Sequence, residues 1–138
     1  MNSDATLKLP YHRAWVLAAG DRTFRLDYDG LNENSVVVDV GGYHGDWADA
    51  IHKRYGCLVH ICEPIPELAE RIRRRFEGNS KIFVHPVGLG ASTNKARISL
   101  AEDGSSVFGN KANSVEIDIQ DISEFIRENK ISHRSDKD

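Results

Sequence analysis

The stretch VVVDVGGYHGDW, residues 36–47, sets the reading of the whole chain. Four of its first five residues are valine, a continuous apolar run of the kind found in strands covered on both faces. Asp39 sits near the end of that run, and Gly41, Gly42 and Gly45 follow it. Residues 46–56, DWADAIHKRYG, then place Trp47, Ile51 and Tyr55 at i, i+4 and i+8, which predicts a helix stopped by Gly56. A strand, a bare turn and a helix in this order open a parallel α/β unit. Glycine at such a turn has no Cβ to keep a ligand from the backbone.

The same pattern continues downstream. CLVHIC, residues 57–62, is a second buried strand. PIPELAERIRRRFEG, residues 64–78, predicts a helix with Leu68, Ala69, Ile72 and Phe76 on one face. Pro66 falls in its first turn, where proline is tolerated, and Gly78 ends it. KIFVHPVGLG, residues 81–90, reads as a third strand running into a glycine turn. This alternation implies parallel strands with right-handed crossovers: an α/β, Rossmann-like half of a doubly wound sheet. Beyond it, KARISL (95–100) and SVEIDI (114–119) are two further strands around a polar loop, and DISEFIRENK (121–130) is a helix with Ile122, Phe125 and Ile126 on one side. Upstream, AWVLAAG (14–20) fits either helix or strand. TFRLDYDG (23–30) alternates as a half-buried strand does and ends in a turn at Gly30. The division expected is an N-terminal extension (1–35), a cofactor-binding half-domain (36–131) and a polar tail (132–138).

Bulk properties exclude several classes. A chain of 138 residues suits one domain with a real core. Hydrophobic content of 40% and charged content of 28% are ordinary for a globular protein. A formal charge of −3 points to no nucleic-acid or anionic-membrane partner. The one arginine-rich run, RIRRRF (71–76), alternates with apolar residues as a solvated helix face does. Cys57 and Cys62 form no CxxC, which suggests buried thiols in a reducing compartment. No apolar run is long enough to span a membrane and the N-terminus has no secretory h-region, so a cytoplasmic location is expected. The six histidines have no metal-ligand spacing, and no metal is expected.

In a doubly wound sheet the ligand sits outside the carboxyl ends of the strands, near the amides of the following helix. A dinucleotide fingerprint in this register would need glycine where Val40 stands. A P-loop would need Lys followed by Ser or Thr after its last glycine, where this chain has Asp46 and Trp47. Asp39 and Asp46 would both repel a pyrophosphate. A ligand with a cationic amino-acid head fits better, which favours S-adenosylmethionine over NAD or ATP. Glu63 follows the second strand, 24 residues after Asp39. It can accept both hydroxyls of a ribose, or it can serve only as an acid favoured at a helix start.

VVVDVGGYHGDWA, HICEPIPELAERI, HPVGLGAS and GSS, in that order, resemble the FkbM-type S-adenosylmethionine-dependent methyltransferases over about residues 20 to 131. The resemblance implies a class I methyltransferase fold and O-methylation of a hydroxyl on a sugar or natural product. It places Asp39, Gly41 and Gly45 at the methionine end of the cofactor, Glu63 at the ribose, and Gly88 and Leu89 near the adenine, with Gly42, Tyr43 and Pro64 also among the cofactor-binding residues. Ser105 and Ser106 would shape the acceptor pocket, or serve only their loop. Many such enzymes hold the adenine amino group with an acid after the third strand, and this chain has none there. The family continues with a fourth core strand where this chain reads HRSDKD. Without that strand SVVVDV should be an exposed edge, open to self-association. Hydroxyl methylation also needs a base. His44 is the candidate, a solvent-facing histidine the alternative, and His60 and His85 read as structural. The rival readings are a cofactor-binding fragment without turnover, needing a partner or a further half, and an NAD-binding domain.

Overall fold

The computed structural model describes residues 4–7, 15–19, 26–42, 44–99 and 114–131. Strands β1 (Asp4–Leu7), β2 (Trp15–Ala19), β3 (Val36–Val40), β4 (Leu58–Cys62) and β5 (Ile82–His85) form one sheet in that order. β2 to β5 are mutually parallel, and β1 pairs antiparallel with β2. Helix α1 (Asp46–Tyr55) connects β3 to β4, and α2 (Pro66–Arg75) connects β4 to β5. The α/β alternation expected from residue 36 onward is therefore present.

Side-chain alternation along the strands builds two cores, one on each face. Val37, Val59, Ile61 and Ile82 pack with Trp47, Ala48 and Ile51 of α1 and with Ile72 and Phe76 at the end of α2. On the other face, Val36, Val38 and Cys62 meet Phe125 of helix α3 (Ile122–Glu128) and Ile131 beyond it. Covering both faces is what allows β3 to be nearly all valine, since each fully buried side chain of that size contributes roughly 1.5–3 kcal/mol.

The helix ends follow the residues. α1 stops at Gly56, whose φ of 68° closes the last turn through a bond from its N–H to His52 O. His52 donates from Nδ1 to Cys57 O at 2.8 Å, and Lys81 Nζ donates to Gly56 O, so the turn into β4 is held by side chains on both sides. α2 begins with Pro66 in its first turn and gives way to turns at Phe76, ahead of Gly78. α3 is capped by Asp121, whose Oδ1 accepts from the N–H groups of Ser123 and Glu124.

Three expectations are corrected. β3 is not an edge, because β2 lies beside it in register from Trp15↔Val36 to Ala19↔Val40. Among the described residues the edges of this sheet are β1 and β5. TFRLDYDG does not form a strand where it is described: residues 26–28 are irregular. The hydroxyl of Tyr55 donates to Leu26 O and accepts from Tyr28 N–H, taking backbone groups that a ladder would use. Tyr28 then packs edge-on against Trp47, 6.2 Å between ring centroids. Finally, GLG is not a turn. Pro86 has no N–H to continue β5, and Val87 N–H turns back to His85 O. The chain leaves the sheet, and β6 (Gly88–Gly90) pairs in parallel with β8 (Ser114–Asp121), which also pairs antiparallel with β7 (Asn94–Ser99). The two strands expected after residue 95 are thus present, in a second sheet.

Among the described residues no helix is long and apolar enough to cross a membrane. The segments 100–113 and 132–138 lie outside the described residues, as do Ser105 and Ser106.

Candidate functional site

The carboxyl ends of β3, β4 and β5 come together through backbone bonds. Gly41 N–H donates to Cys62 O at 2.8 Å, and Glu63 N–H donates to His85 O at 3.0 Å. This brings the residues after Asp39, after Cys62 and after His85 to one end of the sheet. Asp39 and Glu63 are both buried there, at 1% and 3% exposure. Moving a carboxylate out of water costs several kcal/mol unless its surroundings compensate. Apolar packing alone does not call for two at adjacent strand ends, which makes them the candidates around which a site would be built.

The glycines divide into two kinds. Gly41 has φ of 82°, and nothing lies within 4 Å of where a Cβ would project. It turns the chain and leaves open space beside the backbone. A Cβ on Gly42 would collide with Ile61 Cγ2, and one on Gly45 would lie 2.8 Å from Phe76 Cε2. Gly42 is glycine because Ile61 of β4 packs against the turn, and Gly45 both because Phe76, just past α2, does so and because its own φ is 89°. Of the three, Gly41 is the one whose surroundings leave room for a ligand. Tyr43 lies outside the described residues.

Glu63 does part of what a helix-start acid does: its Oε2 accepts from Ile65 N–H, the residue that caps α2, at 3.0 Å. A carboxylate has about four acceptor positions, so this bond does not exhaust it. Pro64 sits against β6, 3.5 Å from where a Cβ on Gly88 would lie. The structure therefore brings Pro64, next to Glu63 in the chain, up to Gly88. Leu89 is instead packed against the α3-side core.

Asp46 needs a different account from the one its position suggested. Arg75 Nη1 donates to its Oδ1 at 2.7 Å, so its charge is matched locally and it is a lesser obstacle to an anionic ligand than its sequence position implied. Of the two acids set against a pyrophosphate, Asp39 carries the argument.

His44 is exposed on the turn, and its carbonyl accepts from Arg75. His60 and His85 lie on the α3 face. His60 Nδ1 and His85 Nε2 are 3.0 Å apart, which requires one nitrogen to carry hydrogen and the other to accept it. Phe125 meets both rings edge-on, and Phe83 stacks on His60. Burial, and secondarily the charge of His85, lowers the His60 pKa to about 4, and burial lowers that of His85. The pair had read as two unrelated structural histidines. Their contact arises because β4 and β5 are in register with His60 opposite Phe83 and Cys62 opposite His85.

Cys57 and Cys62 are free and buried. Burial raises both thiol pKa values, and Asp39 adds to the effect at Cys62, so both are protonated and unreactive at neutral pH. Among the described residues no group of three or more His, Cys, Asp or Glu is placed to hold a metal ion.

Comparisons with family models, with curated proteins and with solved structures each return no match.

Proposed function

We propose that this chain binds S-adenosylmethionine at the carboxyl ends of β3 and β4, as part of an FkbM-type methyltransferase acting on a hydroxyl of a sugar or natural product. The observation that carries the reading is the pair of buried acids, Asp39 and Glu63, flanking the open backbone at Gly41. A sulfonium and an α-ammonium group suit a pocket with carboxylates and an accessible turn, and a ribose diol suits a carboxylate at the next strand end. The resemblance in the quoted motifs supports the same assignment.

When bound, the cofactor supplies a methyl group on a cationic sulfur, open to in-line attack by an acceptor oxygen. The chain's part is to orient and to neutralise. Gly41 leaves space at the turn, Asp39 supplies negative charge beside it, and Glu63 accepts hydroxyl hydrogens.

A second reading, cofactor binding without turnover, is favoured by where the histidines are. His44 is exposed and held by its backbone, while His60 and His85 bond each other beneath α3. The rings of His60 and His85 meet each other, Phe83 and Phe125, and the His44 carbonyl meets Arg75, an arrangement that suits packing and anchoring better than proton transfer.

The test is calorimetric titration with S-adenosylhomocysteine, with NAD in parallel. The variant is Glu63→Gln, which keeps a carbonyl for Ile65 N–H and removes the charge. A hydrogen bond to a charged group contributes about 1.5–3 kcal/mol, so affinity should fall on the order of 10- to 100-fold with little change in melting temperature. Equal affinity in the variant, or saturable binding of NAD alone, would overturn the reading. Binding with no methyl transfer to any of a panel of glycosides would leave the second reading in place of the first.

A further inference from the structure

Four arginines lie in the run 71–75, and three of them are tied to their own helix. Arg71 pairs with Glu67, and Arg73 and Arg74 both pair with Glu70. These are exposed i,i+3 and i,i+4 pairs worth little individually. Arg75 is different. Its side chain is 37% exposed, against 57% to 71% for the other three. It leaves the helix and reaches the glycine turn.

Arg75 Nη1 donates to His44 O at 2.8 Å and to Asp46 Oδ1 at 2.7 Å, and Nη2 lies 3.4 Å from Asp49 Oδ2. Its guanidinium also lies over the ring of Phe76, 5.3 Å from the centroid. Phe76 in turn is the residue on which Gly45 rests. Two consecutive residues at the end of α2 thus grip two consecutive residues of the turn: Arg75 takes the carbonyl of His44, and Phe76 supports Gly45. A planar fork with five donors can reach one backbone and two carboxylate acceptors while lying flat on a ring. An ammonium group cannot.

We infer that Arg75 is a positioning residue for the glycine turn. It fixes the His44–Gly45 limb and the first turn of α1, so that the opposite limb, at Gly41, keeps its shape with space beside it. It acts through the turn and touches no ligand. The inference rests on the cofactor-site reading for its functional meaning, but the turn's rigidity can be measured with no ligand present.

The experiment compares Arg75→Lys, which keeps the charge and loses the fork, with Arg74→Ala, which loses a pair confined to α2. The first readout is amide hydrogen exchange in the ligand-free protein at Gly45 and Asp49, whose N–H groups donate to Gly42 O and Gly45 O. Arg75→Lys should speed exchange there by about tenfold relative to Ile61 in β4, as expected for local opening without global unfolding. Arg74→Ala should leave it unchanged. The second readout is S-adenosylhomocysteine affinity, expected to fall roughly three- to tenfold in Arg75→Lys alone, part of the cost of ordering a loosened turn. Unchanged exchange in Arg75→Lys overturns the inference. Faster exchange with unaltered affinity overturns it as well, leaving the anchor purely structural. Faster exchange in a protein whose wild type binds no S-adenosylhomocysteine upholds the anchor and sinks the cofactor reading instead.

Discussion

At Gly41 the backbone stands at φ 82° beside open space, while at Gly42 the neighbouring position is filled by Ile61 and Ile72. Replacing each by alanine should therefore do different things. Gly42→Ala forces a methyl into a packed core and should cost about 1–3 kcal/mol of stability. Gly41→Ala meets no atoms and pays only for left-handed backbone, roughly 1–2 kcal/mol. The added methyl would stand where we place the ligand, so S-adenosylhomocysteine binding should weaken at least about tenfold beyond any effect of stability. Urea denaturation with calorimetry on both variants separates the two effects. Gly41→Ala binding as wild type would remove the ligand from that position. The distinction between these adjacent glycines was not legible in the sequence, because it depends on Ile61 and Ile72, 19 and more residues away in the chain.

Helix α3 is docked through Phe125, which is 1% exposed and touches the rings of both His60 and His85. This makes the docking sensitive to acid. His60 titrates near pH 4 when folded and near 6.5 when free, and His85 is shifted the same way. Between those values the unfolded chain binds more protons than the folded one, so stability falls as pH drops from about 6.5 towards 4 and levels off below. For His60 alone the loss is on the order of 3 kcal/mol. Among the described residues the groups facing His60 include Cys62 on β4, Phe83 and His85 on β5, Val38 on β3 and Phe125 on α3, and none of these supplies a counter-charge to hold an imidazolium. A His60→Phe variant, with a ring of similar size, should show a flatter stability profile across this range in urea titrations at stepped pH. A profile as steep as wild type would assign the acid sensitivity to other groups. The histidines were visible in the sequence, but their pairing depends on strand register, which no local pattern specifies.

The succession β3, α1, β4, α2, β5 was legible because each element is set by nearby residues: valine runs, apolar spacing of four, Pro66 at a helix start and Gly56 at a helix end. What was not legible is long-range. Tyr55 captures the backbone at Leu26 and Tyr28, Arg75 reaches His44 across 31 residues, and β2 inserts beside β3 with no signal in its own five apolar residues to say so. That last pairing decides whether the sheet is closed on its valine-rich side. β2 has β1 on one side and β3 on the other, so its interior amides face a neighbouring strand in both directions. Leu17 is opposite Val38 and in the middle of β2. Leu17→Pro removes a donor and fixes φ there, a change that costs about 3 kcal/mol or more within an ordered element and that central strands do not tolerate. With β2 dislodged, β3 would present an apolar edge for other copies of the chain to pair with. Sedimentation velocity should then show concentration-dependent self-association in Leu17→Pro that the wild type lacks at the same concentration, together with a lower urea midpoint. A variant that keeps both the wild-type midpoint and the wild-type sedimentation would mean that β2 does not cover β3 in solution, and that the valine strand is protected by something else.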